Sequence, residues 1–341
     1  MKILAIETSC DETAAAVIED GAKFLSNVIA SSGELHRKTG GIVHEVAARE
    51  QVRSIIPVIQ EALVSISGQA EIDAIAVTAG PGLIGSLLIG VETAKALAFA
   101  WNKPLIAVNH LIGHIYGNFI ENTSSTFPAV VLIVSGGHTD LILLKNHGDY
   151  TWLGGTLDDA VGEAFDKAAR ILGLGYPGGP AISKAASSFI AGGATLDPSL
   201  PRPLITEPNF DFSFSGLKTA LFNIVGSKSA LPLPQEEIAA LAYEFQEAAA
   251  DCLVTKTIKA AQEFGAKSIM LAGGVAANTR LREKICKSAG NIPVLFPPFK
   301  FCTDNAAMIG SAAFFNQNFV PWENLEPDPS LSLQGLPNVL D

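Results

Sequence analysis

The chain has 341 residues, 48% of them hydrophobic and 17% charged, with a formal net charge of −11 and mean hydropathy +0.32. So much apolar material builds a large core, which excludes a disordered chain, and the length suggests two domains of roughly 150 residues each. The acidic balance argues against broad, non-specific nucleic-acid binding, and four cysteines without CxxC spacing argue against a disulfide framework.

Lys2 to Glu7 is predicted as a buried strand, Thr8-Ser9-Cys10-Asp11-Glu12-Thr13 as a polar turn, and Ala14 to Ile18 as a returning strand. A start of this kind leaves no room for a charged region and signal core, so a cytoplasmic protein with no membrane association is expected. Asp11 and Glu12 have two readings: solvated turn formers, or acids that hold a Mg2+–nucleotide complex or act as general base. The basic group His36-Arg37-Lys38, followed by Arg49 and Arg53, reads as a solvated loop, with a local basic patch for nucleic acid as the competing reading, and a helix is expected over 45–65. Ile72 to Thr78 is a buried strand entering Ala79-Gly80-Pro81-Gly82 and a small-residue helix through Ala100. Glycines, Glu92 and Lys95 interrupt that apolar run too often for a membrane span.

Asn109-His110-Leu111-Ile112-Gly113-His114 sets two imidazoles at i and i+4, which lie about 6 Å apart on one helix face and can hold one metal ion. An ordinary pair of helix histidines is the competing reading. Ala129 to Val134, the turn Ser135-Gly136-Gly137-His138-Thr139, and Asp140 to Leu144 repeat the N-terminal strand–turn–strand pattern. This second turn offers amides to an anion, or is a plain hairpin. In a helix over 159–172, Asp166 either accepts from ribose hydroxyls or joins Glu163 and Lys167 in a charged face worth about 0.5 kcal/mol per pair. Gly175-Tyr176-Pro177-Gly178-Gly179-Pro180 precedes a helix over 181–191 and allows close approach to a ligand, or is a tight connector.

Pro198 to Pro208 is a loop, and Phe212 to Lys218 a loop rim with Lys218 free for an anion. A helix follows over 235–263. Ser268 to Leu271, entering Ala272-Gly273-Gly274-Val275 and a helix through Lys287, echoes 72–100; in both, glycines let a helix N-terminus approach a phosphate. Asn278 hydrogen-bonds a purine edge or caps a turn. Cys302-Thr303-Asp304-Asn305 adds a carboxylate to the histidine pair, and two His with one carboxylate leave coordination positions open. A helix over 305–316 and an irregular proline-rich tail close the chain. The expected fold is α/β with two duplicated lobes and a cleft between them: 1–126 plus 305–325, then 127–304 with a mainly helical insertion around 155–260, then a tail over 326–341.

Glu7-Thr-Ser-Cys-Asp-Glu-Thr13, His110-x-x-x-His114, Val134-Ser-Gly-Gly-His138, Gly162-Glu-Ala-Phe-Asp-Lys167, Gly175-Tyr-Pro-Gly-Gly179, Phe214-Ser-Gly-Leu-Lys218, Gly273-Gly-Val-Ala-Ala-Asn278 and Cys302-Thr-Asp-Asn305 occur in that order. The set resembles the TsaD-type (Gcp/YgjD) tRNA N6-adenosine threonylcarbamoyltransferases from Ile3 to about Gly310. The resemblance implies RNase H-like lobes of the actin/Hsp70/sugar-kinase (ASKHA) type. It implies an acyltransferase moving the threonylcarbamoyl group of L-threonylcarbamoyl-adenylate to N6 of adenosine 37 in tRNAs reading ANN codons, with release of AMP. It further implies one metal ion per subunit, iron with zinc as the alternative, held by His110, His114 and Asp304. Ile133, Val134, Ser135, Gly136, Gly137, Asp166, Gly179 and Asn278 would line the donor site. A TsaB-like paralogue and a TsaE-like ATPase would be partners. Asp11 is expected to position or deprotonate the accepting amine, with Glu12 and Glu7 as neighbouring alternatives.

Three rivals follow from the same residues. A zinc peptidase of the HExxH kind needs a Glu beside the first His, and Leu111-Ile112-Gly113 fill that interval. An ATP-dependent small-molecule kinase shares the expected fold but not the histidine pair. A catalytically idle scaffold has no use for all three metal ligands.

Overall fold

The computed structural model describes residues 1–33, 35, 43–121, 126–189, 199–228 and 232–334. The group His36-Arg37-Lys38 lies outside them, as do Pro198, the end of the helix expected over 181–191 and the tail beyond Gln334. The chain forms two compact units. Unit 1 comprises Met1–Ser125, Asn146–Tyr150 and Pro297–Asp341, and unit 2 comprises Thr126–Lys145 and Thr151–Phe296. Residues 297–304, expected with the second lobe, therefore group with the first, and they bring Asp304 with them.

Unit 1 is built on β1 (Lys2–Glu7), β2 (Glu12–Glu19), β3 (Lys23–Ser31), β4 (Ala74–Gly80) and β5 (Leu105–Asn109), with the short strand Phe319–Val320 at one edge. The sheet runs Phe319–Val320, β5, β4, β1, β2, β3. β1 pairs antiparallel with β2 and parallel with β4, and β4 is parallel to β5. Ile3–Ile6 of β1 and Ala74–Val77 of β4 are apolar and buried throughout because helices cover both faces of the sheet. Leu4 and Ile6 pack with Ile55, Val58 and Val91 of helices His44–Leu63 and Ile84–Trp101. Ala5 points the other way, onto Gly310 of helix Ala306–Asn316. Strand periodicity puts Glu7 on that same face as Ala5.

Helix Ile84–Trp101 is long and apolar enough by composition to cross a membrane, with mean hydropathy 1.3. Here Leu87, Val91, Ala94 and Ala98 are buried, and its outer face carries a Glu92–Lys95 ion pair at 2.9 Å. The proline-rich tail has little regular structure, yet it is docked. Asp328 N donates to Ala79 O at 2.8 Å, and Leu325 and Leu333 are buried.

Unit 2 is built on β6 (Ala129–Val134), β7 (Thr139–Asn146), β8 (Asp149–Gly155), β9 (Ser268–Ala272) and β10 (Val294–Leu295), in the order β10, β9, β6, β7, β8. β6 is antiparallel to β7 and parallel to β9, and β9 is parallel to β10. Reading β1 to β5 onto β6 to β10 reproduces the strand order and these directions, so the duplication extends to the connectivity of both sheets. Between β8 and β9 lie helices Val161–Ile171, Gly178–Ser187, Ser215–Gly226 and Gln235–Glu263.

Phe212–Lys218 is not a free rim: Ser215 opens a helix whose first amides, Phe214 N and Ser215 N, donate to Asp158 Oδ1 at 2.8 and 3.2 Å. Lys218 Nζ is bound to Asp159 Oδ2 at 2.7 Å and is not free for an anion. The cap comes from a distant carboxylate, which no local signal announces.

Gly273 shows why the second glycine turn needs its glycines. Its φ is +88°, and an added Cβ would lie inside contact distance of the Val134 carbonyl. Gly273→Ala combines a backbone conformation unfavourable to L-residues with a backbone clash, and should destabilise the protein by ~2–5 kcal/mol in urea unfolding. A loss below about 0.5 kcal/mol, the scale of an ordinary surface substitution, would contradict this account.

Candidate metal centre

β5 ends at Asn109, whose side chain accepts from Leu111 N at 2.9 Å and so caps helix His110–Tyr116 immediately after the strand. His110 and His114 therefore stand one turn apart, both buried, with ring centroids 4.6 Å apart. Asn305 likewise caps the helix that follows it, accepting from Met308 N at 3.0 Å, and this holds Asp304 at the helix entrance. The two helices meet at Gly113, where an added Cβ would sit 2.6 Å from Ile309 Cδ1. A glycine between the histidines thus permits the approach that brings Asp304 to them.

Asp304 Oδ1 lies 3.2 Å from His114 Nε2 and 3.6 Å from His110 Nε2. One ligand atom from each of the three residues falls within 4.8 Å of the others. On its far side, His110 Nδ1 is 3.0 Å from Glu7 Oε2 and 3.2 Å from Ser9 Oγ. Glu7 is itself fully buried, accepting from Ser9 N at 2.5 Å and from Thr78 Oγ1 at 2.6 Å.

Burial alone would lower the His110 pKa, but the carboxylates of Glu7 and Asp304 more than reverse it and leave it at about 9. Burial likewise works against the Glu7 charge, and the adjacent His110 outweighs it, holding Glu7 below its ordinary value. His114 is 1% exposed, and neither ring nitrogen has a hydrogen-bond partner among the described residues. An orphaned buried nitrogen aimed at a carboxylate oxygen fits a divalent ion, and two imidazoles with one carboxylate form a donor set suited to transition metals.

This electrostatic arrangement predicts a proton count. Without an ion, His110 keeps two ring protons up to about pH 9, whereas a ligand must free one nitrogen. Metal uptake at pH 7 should therefore release about one proton and tighten as pH rises towards 9. Calorimetry in buffers of different ionisation enthalpy reads the proton directly; uptake without release would contradict the assignment.

The turn before β2 is tightly held. Gln51 Nε2 donates to Cys10 O and Glu12 O at 3.0 Å each, and Ser86 Oγ donates to Cys10 O at 3.0 Å. Burial first, then the charges and hydrogen bonding of Asp304 and Asp11, push Glu12 up to about 9, with Ser31 Oγ donating to it at 3.2 Å. Glu12 is thus a neutral acid near pH 7, not a solvated turn carboxylate.

The remaining candidates all lie in unit 2. Ile133 and Val134 are fully buried strand residues, so only their backbone is available. Ser135 closes the turn, its N donating to His138 O at 2.9 Å and its Oγ accepting from His138 N at 3.1 Å. Gly136 and Gly137 are exposed, and a Cβ on either would meet nothing within 4 Å. Glu163 pairs with Lys167 at 2.9 Å, as a charged helix face would. Asp166 instead accepts from Gly178 N at 2.6 Å and ties two helices together, while Gly179 opens onto free space. Asn278 is used at both ends: its Oδ1 accepts from Leu281 N at 3.0 Å, and its Nδ2 donates to Gln246 Oε1 at 3.0 Å. Glu7 as the partner of His110 and Thr78, and Gln51 as the donor to the turn carbonyls, went unread in the sequence; for Glu7 the available signal was an acid closing an otherwise apolar strand.

The family model described as TsaD, tRNA N6-adenosine threonylcarbamoyltransferase, matches residues 23–311. A Thermomicrobium roseum protein of that name is 53% identical over 92% of both chains. One from Bacillus subtilis is 49% identical over 92% of this chain and 89% of its own. Among solved structures, HypF of T. kodakarensis aligns with TM-score 0.62 at 15% identity, covering 95% of this chain and 49% of that one. Component A of the Acidaminococcus fermentans (R)-2-hydroxyglutaryl-CoA dehydratase aligns with TM-score 0.52 at 15% identity, covering 92% and 98%. At such identities the likeness is one of fold, the two-lobe α/β architecture of the ASKHA class.

Proposed function

We infer the reaction from a plain starting point: this chain belongs to the TsaD family, the tRNA N6-adenosine threonylcarbamoyltransferases. Its activity is transfer of a threonylcarbamoyl group to N6 of an adenosine in tRNA, and it is a transferase of the acyl class. For the finer chemistry, the donor is L-threonylcarbamoyl-adenylate and the acceptor adenosine 37 of tRNAs reading ANN codons. The N6 lone pair attacks the carbamoyl carbon, the bond from that carbon to the phosphate oxygen breaks, and AMP leaves with the electron pair. N6 then gives up a proton. The observation that carries this reading is 53% identity across 92% of both chains, joined to three converging metal-ligand side chains.

His110, His114 and Asp304 would hold the resident ion, iron with zinc as the alternative; when bound it supplies positive charge that orients and polarises the donor. The open amides of Gly136 and Gly137, the backbone of Ile133, Val134 and Ser135, Asp166, Gly179 and the backbone at Asn278 bind the adenylate. Fixed amides favour the charge that develops on oxygen and need no reorganisation at the moment of reaction. Asp11 receives the N6 proton or orients the amine. Glu7 does not serve there, because His110, Thr78 and Ser9 already occupy it.

A TsaB-like paralogue and a TsaE-like ATPase are the partners in a cytoplasmic assembly. Exposed Val52 and Ile56 on helix His44–Leu63, and Ile84 and Leu88 on the helix packed beside it, support an apolar docking strip for such a subunit. The test mixes purified chain, threonylcarbamoyl-adenylate and tRNA, with and without the two partner proteins. Mass spectrometry should find the modified nucleoside and one AMP per transfer. Donor hydrolysis with no modified nucleoside in any combination would reject the reaction.

A further inference from the structure

We propose that Glu7 is the positioning carboxylate of the metal centre, fixing His110 as the Nδ1–H tautomer so that Nε2 is the atom presented to the ion. The inference rests on the reading of His110, His114 and Asp304 as ligands and adds a residue behind them. Glu7 Oε2 lies 3.0 Å from His110 Nδ1. A carboxylate oxygen only accepts, so an unprotonated Nδ1 there would set two lone pairs against each other; the proton belongs on Nδ1. Once Nε2 gives up its own proton to a bound ion, its lone pair faces that ion on the side of Asp304 Oδ1, 3.6 Å away.

Glu7 is built for this role. Thr78 Oγ1 donates to the same oxygen that meets His110, and Ser9 N donates to the other oxygen, so the carboxylate is fixed before any ion arrives. Its burial leaves the charge no solvent to face. β1 and β4 are parallel with Ile6 opposite Val77, and continuing that register sets Glu7 beside Thr78. His114 lacks any such support, since its Nδ1 has no hydrogen-bond partner among the described residues. The centre is therefore asymmetric: one imidazole is oriented by charge, the other by packing. A carboxylate behind a ligating imidazole raises the basicity of the ring, and its loss typically costs 10–100-fold in metal affinity.

The experiment titrates metal-free full-length protein with Co2+ and records affinity and visible absorption for the unsubstituted protein, Glu7→Gln, Thr78→Val and Asp304→Ala. Glu7→Gln keeps the shape and removes the charge. It should bind Co2+ about 10–100-fold more weakly, with shifted ligand-field bands at saturation. Thr78→Val removes only the hydroxyl that orients Glu7, and should weaken binding by less, on the order of threefold, with Glu7 still present. A merely structural role for Glu7 would change the melting temperature and leave the bands of the loaded protein in place. Affinity and bands unchanged in Glu7→Gln would overturn the proposal. Should Glu7→Gln fail to fold, Thr78→Val decides, and its unsubstituted-protein affinity would overturn it equally. If the unsubstituted chain takes up no ion, or Asp304→Ala binds as well as it does, the ligand assignment itself falls, and this inference with it.

Discussion

Asp304→Ala should strip the protein of its ion and abolish transfer to tRNA, while the metal-free fold stays intact. Asp304 is the one anionic member of the triad, within 3.2 Å of His114 Nε2 and 3.6 Å of His110 Nε2. Without it two imidazoles remain, and a divalent ion loses both a bond and its charge balance. The expected fall in affinity exceeds the ~10–100-fold typical of an outer partner, because a direct ligand is removed. Folding should tolerate the change: the Asp304 side chain is 23% exposed, and the helix that follows is capped by Asn305 instead. Equilibrium dialysis with metal analysis, a melting curve and the nucleoside assay together check the prediction. Stoichiometric metal and normal turnover in Asp304→Ala would remove the centre from the mechanism.

Asp11→Ala should lower kcat by about 10²–10⁴-fold, the usual scale for losing a positioned acid or base, with metal content unchanged. An exocyclic adenine amine is a poor nucleophile, since its lone pair is delocalised into the ring, so a base near N6 has a large effect. Glu12 is a weak candidate for that base. Half-buried, and facing the negative charges of Asp304 and Asp11, it is pushed up to about 9 and stays protonated near neutral pH. A protonated carboxyl can donate to Asp11 but cannot take the amine's proton, and this favours Asp11 over Glu12 as the proposed base. Glu12→Gln preserves a neutral donor and should cost less than about tenfold, whereas Asp11→Asn should be nearly as slow as Asp11→Ala. Single-turnover transfer with saturating donor separates these variants from defects in binding. Full turnover by Asp11→Ala would end its assignment.

The antiparallel hairpins of both units were readable because apolar runs broken by a polar turn are a local pattern, and helix Gln235–Glu263 has the predicted bounds. The His110–His114 pair was readable for the same reason: four residues make one helical turn. β3 and β8 went unread, since their half-buried positions mix polar with apolar residues and blur the alternation. The short strands β10 and Phe319–Val320 give too few residues for any periodicity.

Sequence by itself thus determined the duplicated α/β pattern, the glycine turns and the three side chains offered as candidate metal ligands, all properties of neighbouring residues or of an ordered motif set. Tertiary structure decided the pairings. It committed Lys218 to Asp159 and turned both ends of Asn278 inward. It moved residues 297–304 into unit 1 and put Glu7 and Thr78 behind His110. Those partners lie far apart along the chain, and what joins them is strand register and helix packing: a parallel β1–β4 ladder, and a glycine at position 113 thin enough to let one helix carry its carboxylate to another's histidines.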